Sequence, residues 1–152
     1  RAVFVLAGEG PRARTIEDRM PWVRRLGFLD SETLATVYAS SDLCVLPSNT
    51  ETCGLVALEA MASGLPVIGA DAGGLRESVR HQQNGLRVDP TDSAAFAAGI
   101  VELALDPVRR REYAARAREF ALSRDLTGEN AALLRLYALL SPRPDAEVTC
   151  AA

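Results

Sequence analysis

Residues 42–71, "DLCVLPSNTETCGLVALEAMASGLPVIGAD", decide how this chain is read. The stretch opens with the apolar run Leu43-Cys44-Val45-Leu46 and closes with Leu65-Pro66-Val67-Ile68-Gly69. Short apolar runs bounded by turn residues suit strands of a parallel sheet buried on both faces. Between them, Leu55-Val56-Ala57-Leu58-Glu59-Ala60-Met61-Ala62 is apolar except for Glu59. A helix apolar all round is expected to be buried. Gly64 and Pro66 mark its end as left-handed cap and stop. Strand, helix and strand in that order form the unit of a doubly wound α/β layer with right-handed crossovers.

Glu59 then needs a reason. A buried carboxylate left unpaired costs several kcal/mol. Either an arginine from a neighbouring strand or loop pairs with it, or it faces a ligand. The helix begins near Gly54, just beyond the C-terminal end of a strand, where open α/β sheets bind ligands. The amides of Cys53, Gly54 and Leu55 would lie at the positive end of the helix dipole, a seat for phosphate. Gly54 lets an anion approach the backbone. Glu59 lies about 7 Å further along the axis at the usual rise, placed to grip the hydroxyls of a ribose. Glu51, in the polar loop on the other side of the seat, suits a second polyhydroxy group. The ligand this asks for is ribose, then phosphates, then a sugar.

Working outward, "AVFVLAGEGP" reads as a strand ending in glycines, "RARTIEDRM" as a short helix stopped by Pro21, and "VRRLGFLD" as a second strand. Asp30 or Ser31 can cap the helix "ETLATVYASS". Downstream follow the turn "AGG", the helix "LRESV" and the strand "NGLRVD". Asp89 or Thr91 can start the helix "SAAFAAGIVELAL", and Pro107 opens "VRRREYAARAREFAL". "ENAALLRLYALL" reads as a last helix. Residues 1–141 form one Rossmann-like domain and 142–152 a disordered tail.

The totals agree with a single soluble domain of 152 residues, 48% hydrophobic and 24% charged. A net charge of −3 argues against a nucleic-acid footprint. All 17 basic residues are arginine. Cys44, Cys53 and Cys150 are scattered and His81 is the only histidine, so neither a disulfide framework nor a His-based metal cluster is expected. No apolar stretch reaches the length of a membrane span. The expected setting is the cytoplasm. The run Arg109-Arg110-Arg111 is a candidate contact with the anionic inner face of a membrane, although such runs usually form a solvated helix face.

One rival site precedes all this. "GEGPRA" (Gly8, Gly10, Ala13) follows a strand, and Asp30 ends the next one, in outline a dinucleotide fingerprint for an NAD-linked oxidoreductase half. The following helix is short, charged and cut by Pro21, with little apolar face for the sheet. A plain strand-to-helix turn, with Asp30 capping the next helix, is favoured.

"PSNTETCGLVALEAMASGLPVIGADAGG" resembles the E-x(7)-E signature of the retaining GT-B glycosyltransferases of group 1, with Glu51 and Glu59 at the right spacing. "AGEGP", "GFL" and "NGLRV" occur in order where that family has similar segments, so the resemblance covers nearly all of residues 3–140. The family usually has a bulkier residue at Cys53. The resemblance implies the C-terminal, donor-binding half of a GT-B fold. Glu51, Thr52 and the amides of Cys53, Gly54 and Leu55 would then meet the donor sugar and diphosphate. Glu51 would be the catalytic-site acid, Glu59 the ribose acid, and Phe28-Leu29 the base-reading segment. The donor would be a nucleoside-diphosphate sugar such as a UDP- or GDP-hexose. Transfer would proceed with retention, with no protein nucleophile, metal or cofactor. A non-catalytic nucleotide-sugar-binding module is the other alternative. The resemblance also implies that the N-terminal GT-B domain and the first, central strand of this sheet lie outside the chain, leaving these residues inactive alone. The strands at 3–7 and 43–46 would then pair directly, leave a gap, or borrow a strand.

Overall fold

The computed structural model describes residues 2–124 and residues 128, 131, 134–137 and 139. In chain order the elements are β1 (Phe4–Ala7), α1 (Ala13–Arg19), β2 (Val23–Gly27), α2 (Ser31–Ala39), β3 (Cys44–Leu46), α3 (Leu55–Ala62), β4 (Val67–Ala70), α4 (Leu75–Ser78), β5 (Gly85–Val88), α5 (Ser93–Leu105) and α6 (Pro107–Leu122). This is the alternation read from the sequence. Of the helix expected over 129–140, the described residues have helical backbone. The expected tail over 142–152 lies outside the described residues.

All pairings between strands are parallel, but they form two sheets. β1 pairs with β2, Phe4 opposite Val23. β4 lies between β3 and β5, with Val67 opposite Cys44 on one side and Gly85 on the other. Placed end to end, β2–β1 and β3–β4–β5 follow the doubly wound order with the central position open between β1 and β3. Of the three outcomes expected there, direct pairing of β1 with β3 does not occur, since the two strands belong to separate sheets.

The core belongs to the second sheet. Ala57, Ala60 and Met61 of α3, Val67 and Ile68 of β4, Leu75 of α4, Leu103 of α5 and Ala117 of α6 are all fully buried. Burying each of the larger side chains contributes about 1.5–3 kcal/mol. β1 departs from the expectation of a strand buried on both faces: Val5 is 44% and Leu6 37% exposed. Its apolar composition is right for a central strand, but it pairs along one edge only, and α1 contributes no buried residue to cover it. An edge-to-face contact between Phe4 and Trp22, centroids 5.2 Å apart, partly shields it.

Local signals fix the helix ends. The Asp30 carboxylate accepts from the Thr33 amide at 2.7 Å, capping α2. Gly64, at φ 82°, closes α3: the Leu65 amide donates to the Ala60 carbonyl and the Gly64 amide to the Met61 carbonyl. Asp106 caps α6 through the amides of Val108 and Arg109, with Pro107 at the first position. The cap of α5 is Asp92, not Asp89 or Thr91. Asp89 is already committed to the preceding turn, accepting from the Thr91 amide and hydroxyl at 2.8 and 2.6 Å.

Candidate functional site

Two loops at the C-terminal ends of neighbouring strands meet here. One runs from β3 to α3 and carries Glu51, Thr52, Cys53 and Gly54; the other follows β4 and carries Asp71, Gly73 and Gly74. The Gly74 amide donates to the Glu51 carbonyl at 2.8 Å. A Cβ on Gly73 would fall 2.1 Å from that carbonyl oxygen, and one on Gly74 would fall 2.4 Å from the Thr52 oxygen. No residue but glycine fits such an approach. Asp71 braces the second loop through Arg76, whose Nε donates to its carboxylate at 2.9 Å. That pair is exposed and is worth at most about 1 kcal/mol.

Gly54 begins α3 in the left-handed conformation, φ 67° and ψ 27°. Space is also short there, since a Cβ would lie 3.1 Å from Ser78 Oγ. The turn brings Glu51 back on itself: its Oε1 accepts from the Gly54 amide at 3.2 Å. Of the three amides expected at the start of the helix, that of Gly54 is thus already engaged. Thr52 and Cys53 are exposed, and Leu55 is 59% exposed.

Glu59 is not buried. It lies on an open face of α3 with Leu55 and Val56, while Ala57, Ala60 and Met61 are buried in the core and Leu58 packs against it half-buried. Apolar composition shows that a helix face seeks cover; it does not show that a neighbour supplies it. No arginine stands within ion-pair distance of Glu59 among the described residues. Instead, the Tyr38 hydroxyl donates to its Oε2 at 3.4 Å. Burial first, then the nearby Cys44 and Glu59, push the Tyr38 hydroxyl up to about 12. Burial alone pushes the Cys44 thiol up to about 11. Neither Tyr38 nor the Gly73-Gly74 contact was identified from the sequence as part of this site.

Phe28 and Leu29 lie in the loop after β2. Phe28 is 80% exposed, Leu29 is half-buried, and no hydrogen bond joins either to residues 51–59. The rival glycine loop leads into α1, which buries nothing, and Asp30 is occupied as a helix cap. Two cavities of about 390 and 300 Å³ lie apart from Glu51 and Glu59, the first lined by Arg80, Arg116 and Phe120, the second by His81, Arg87 and Glu102. Within 51–59, Gly54 and Ala57 are buried and Glu51 and Leu58 half-buried, while Thr52, Cys53, Leu55, Val56 and Glu59 are exposed. Among the described residues, no three His, Cys, Asp or Glu side chains are grouped to hold a metal ion, and no helix is long and apolar enough to cross a membrane.

The family model "Glycosyl transferases group 1" matches residues 1–106. A GDP-mannose-dependent alpha-mannosyltransferase of Corynebacterium glutamicum is 40% identical over 116 residues, which are 76% of this chain and 28% of that protein. Among solved structures, the sucrose-phosphate synthase of Thermosynechococcus elongatus superposes with a TM-score of 0.81 at 32% identity, covering 90% of this chain and 38% of that one. HepE of Anabaena, in complex with UDP-glucose, gives a TM-score of 0.80 at 27% identity, covering 90% and 41%. The chain therefore spans between about a quarter and two fifths of the length of these three proteins.

Proposed function

The chain belongs to the group 1 glycosyl transferases, and from that premise we propose that it is the donor-binding half of a retaining enzyme. It binds a nucleoside-diphosphate sugar and, with the acceptor-binding domain, transfers the sugar. The observation that carries this reading is the placement of Glu51 and Glu59 on either side of the N-terminus of α3, beyond the end of β3. The complex of the similar HepE with UDP-glucose supports the ligand class.

In this reading the amides at the start of α3 take the diphosphate. Glu51 and Thr52 face the sugar, Glu59 takes the ribose hydroxyls, and Phe28-Leu29 meets the base. Retention follows from attack on the same face as the departing diphosphate, whose oxygen accepts the acceptor's proton. The bond from the anomeric carbon to the diphosphate breaks as the bond to the acceptor oxygen forms. The protein supplies position and charge rather than a nucleophile. The site works in the cytoplasm. Arg109 pairs with Glu102 and Arg110 with Asp42, which weakens the arginine run as a contact for anionic lipid.

Calorimetric titration of the full-length protein with UDP, GDP, ADP and NAD tests this reading. One nucleoside diphosphate should bind and NAD should not. Glu59→Ala should weaken that binding about ten- to hundredfold, the worth of charge-assisted ribose hydrogen bonds of about 1.5–3 kcal/mol. Binding of NAD alone would revive the dinucleotide reading. Nucleotide binding without transfer to any acceptor would leave a binding module.

A further inference from the structure

Tyr38 is the penultimate residue of α2, and Glu59 is the fifth residue of α3. They lie 21 positions apart and meet through the hydroxyl and Oε2. The tyrosine ring is half-buried and packs against the core cluster. Its hydroxyl is thus a fixed point relative to the sheet. Glu59 has no such constraint of its own, being exposed and without an ion-pair partner among the described residues. A glutamate in that setting samples several rotamers, and ordering it on ligand binding costs entropy.

We propose that Tyr38 is a positioning residue for Glu59, holding one carboxylate oxygen so that the other faces the ribose hydroxyls of the donor. This rests on the reading of Glu59 as the ribose acid. At 3.4 Å the contact is longer than an ordinary O–H···O bond, so it biases rather than locks the Glu59 rotamers, leaving Oε1 for the ligand and placing part of the ordering before binding. The hydroxyl remains a donor throughout the physiological range, as an ordinary tyrosine does, and burial pushes its proton higher still. The contact adds little to folding, since its acceptor is exposed to water; the packing is done by the ring.

The test uses Tyr38→Phe, which keeps the ring, in the full-length protein. Calorimetry compares UDP, GDP and ADP with their 2′,3′-dideoxy counterparts, in wild-type and Glu59→Ala backgrounds. Tyr38→Phe should weaken the ribonucleotide that binds by about two- to tenfold, as for loss of one modest hydrogen bond. It should leave the dideoxy form unchanged and add nothing once Glu59 is alanine. Equal weakening of ribo and dideoxy forms, a loss that persists in Glu59→Ala, or no loss at all would overturn the positioning role alone. A ribose preference that survives Glu59→Ala would overturn the reading of Glu59, and the role of Tyr38 with it.

Discussion

The Glu51 carboxylate accepts a hydrogen bond from the Gly54 amide, three residues on, at 3.2 Å. An anion at the first turn of α3 is where the helix dipole favours it, so the loop folds its own carboxylate over the helix start. A bound diphosphate must share or displace that contact. Glu51→Gln keeps the shape and removes the charge. In the full-length enzyme it should lower transfer by roughly 10²-fold, the usual scale for one group that stabilises transition-state charge. Affinity for the nucleoside diphosphate alone should not fall, because the group that competes for the Gly54 amide has lost its charge. Comparing kcat/KM with the calorimetric Kd decides it: equal losses in both would place Glu51 on the diphosphate rather than the sugar.

The loop carrying Glu51 is shaped from outside by Gly74. Gly74→Ala sets a methyl group 2.4 Å from the Thr52 oxygen, a backbone atom that cannot rotate away. The loop must shift, at a cost of about 1–3 kcal/mol in stability, and donor affinity should fall with it. Gly64→Ala is the control. Its Cβ meets open space but its φ of 82° is unfavourable, so it should cost about 1–2 kcal/mol without touching donor affinity. Thermal melts and nucleotide titration of both variants separate strain from site geometry. Unchanged donor affinity in Gly74→Ala would show that the contact does not shape the site.

Cys44 predicts an alkaline limit to stability. Burial raises its thiol from the usual 9.0 to about 11. A raised folded-state value means the fold favours the neutral thiol. Its contribution is therefore complete below about pH 9 and is lost as pH rises through 11. Tyr38, raised from 10.0 to about 12, continues the same trend. Melting temperature should decline above about pH 9, and Cys44→Ala should flatten that limb while lowering the plateau. At neutral pH, alkylation should label exposed Cys53 well before Cys44. Equal labelling rates would contradict the burial.

Transfer should not depend on a divalent ion. In the proposed site the diphosphate meets helix-terminal amides, which carry partial positive charge without a metal. The full-length enzyme in excess EDTA should keep its rate. Loss on chelation, restored by Mg²⁺ or Mn²⁺, would require a metal in the diphosphate seat.

Much of this arrangement is legible in the sequence because it is local. The apolar runs, Asp30, Gly64 and Pro107 announce strands and helix ends over a few residues, and the spacing of Glu51 and Glu59 falls within one loop and helix. What escapes is contact at a distance. Nothing in "AGG" says that its glycines press on the backbone of Glu51 and Thr52. Nothing in "ATVYAS" ties Tyr38 to a carboxylate 21 residues later. The exposure of Glu59 is hidden from the sequence for the same reason, because hydropathy ranks a helix face without naming its neighbour. The apolar pattern of β1 was likewise right for a buried strand, while its burial depends on what stands beside it.

The open position between β1 and β3 divides the molecule energetically. Residues 2–30 contribute nothing to the buried cluster that joins α3, β4, α4, β5, α5 and α6. Cooperative unfolding is transmitted through shared packing, so the β1–α1–β2 unit should open well before the rest. In amide hydrogen exchange, β4 should report the global unfolding free energy and β1 only a small local one. A strand seated between β1 and β3 would merge the two protection classes into one, giving the unit that carries Phe28 and Leu29 the rigidity of the sheet that carries Glu51 and Glu59.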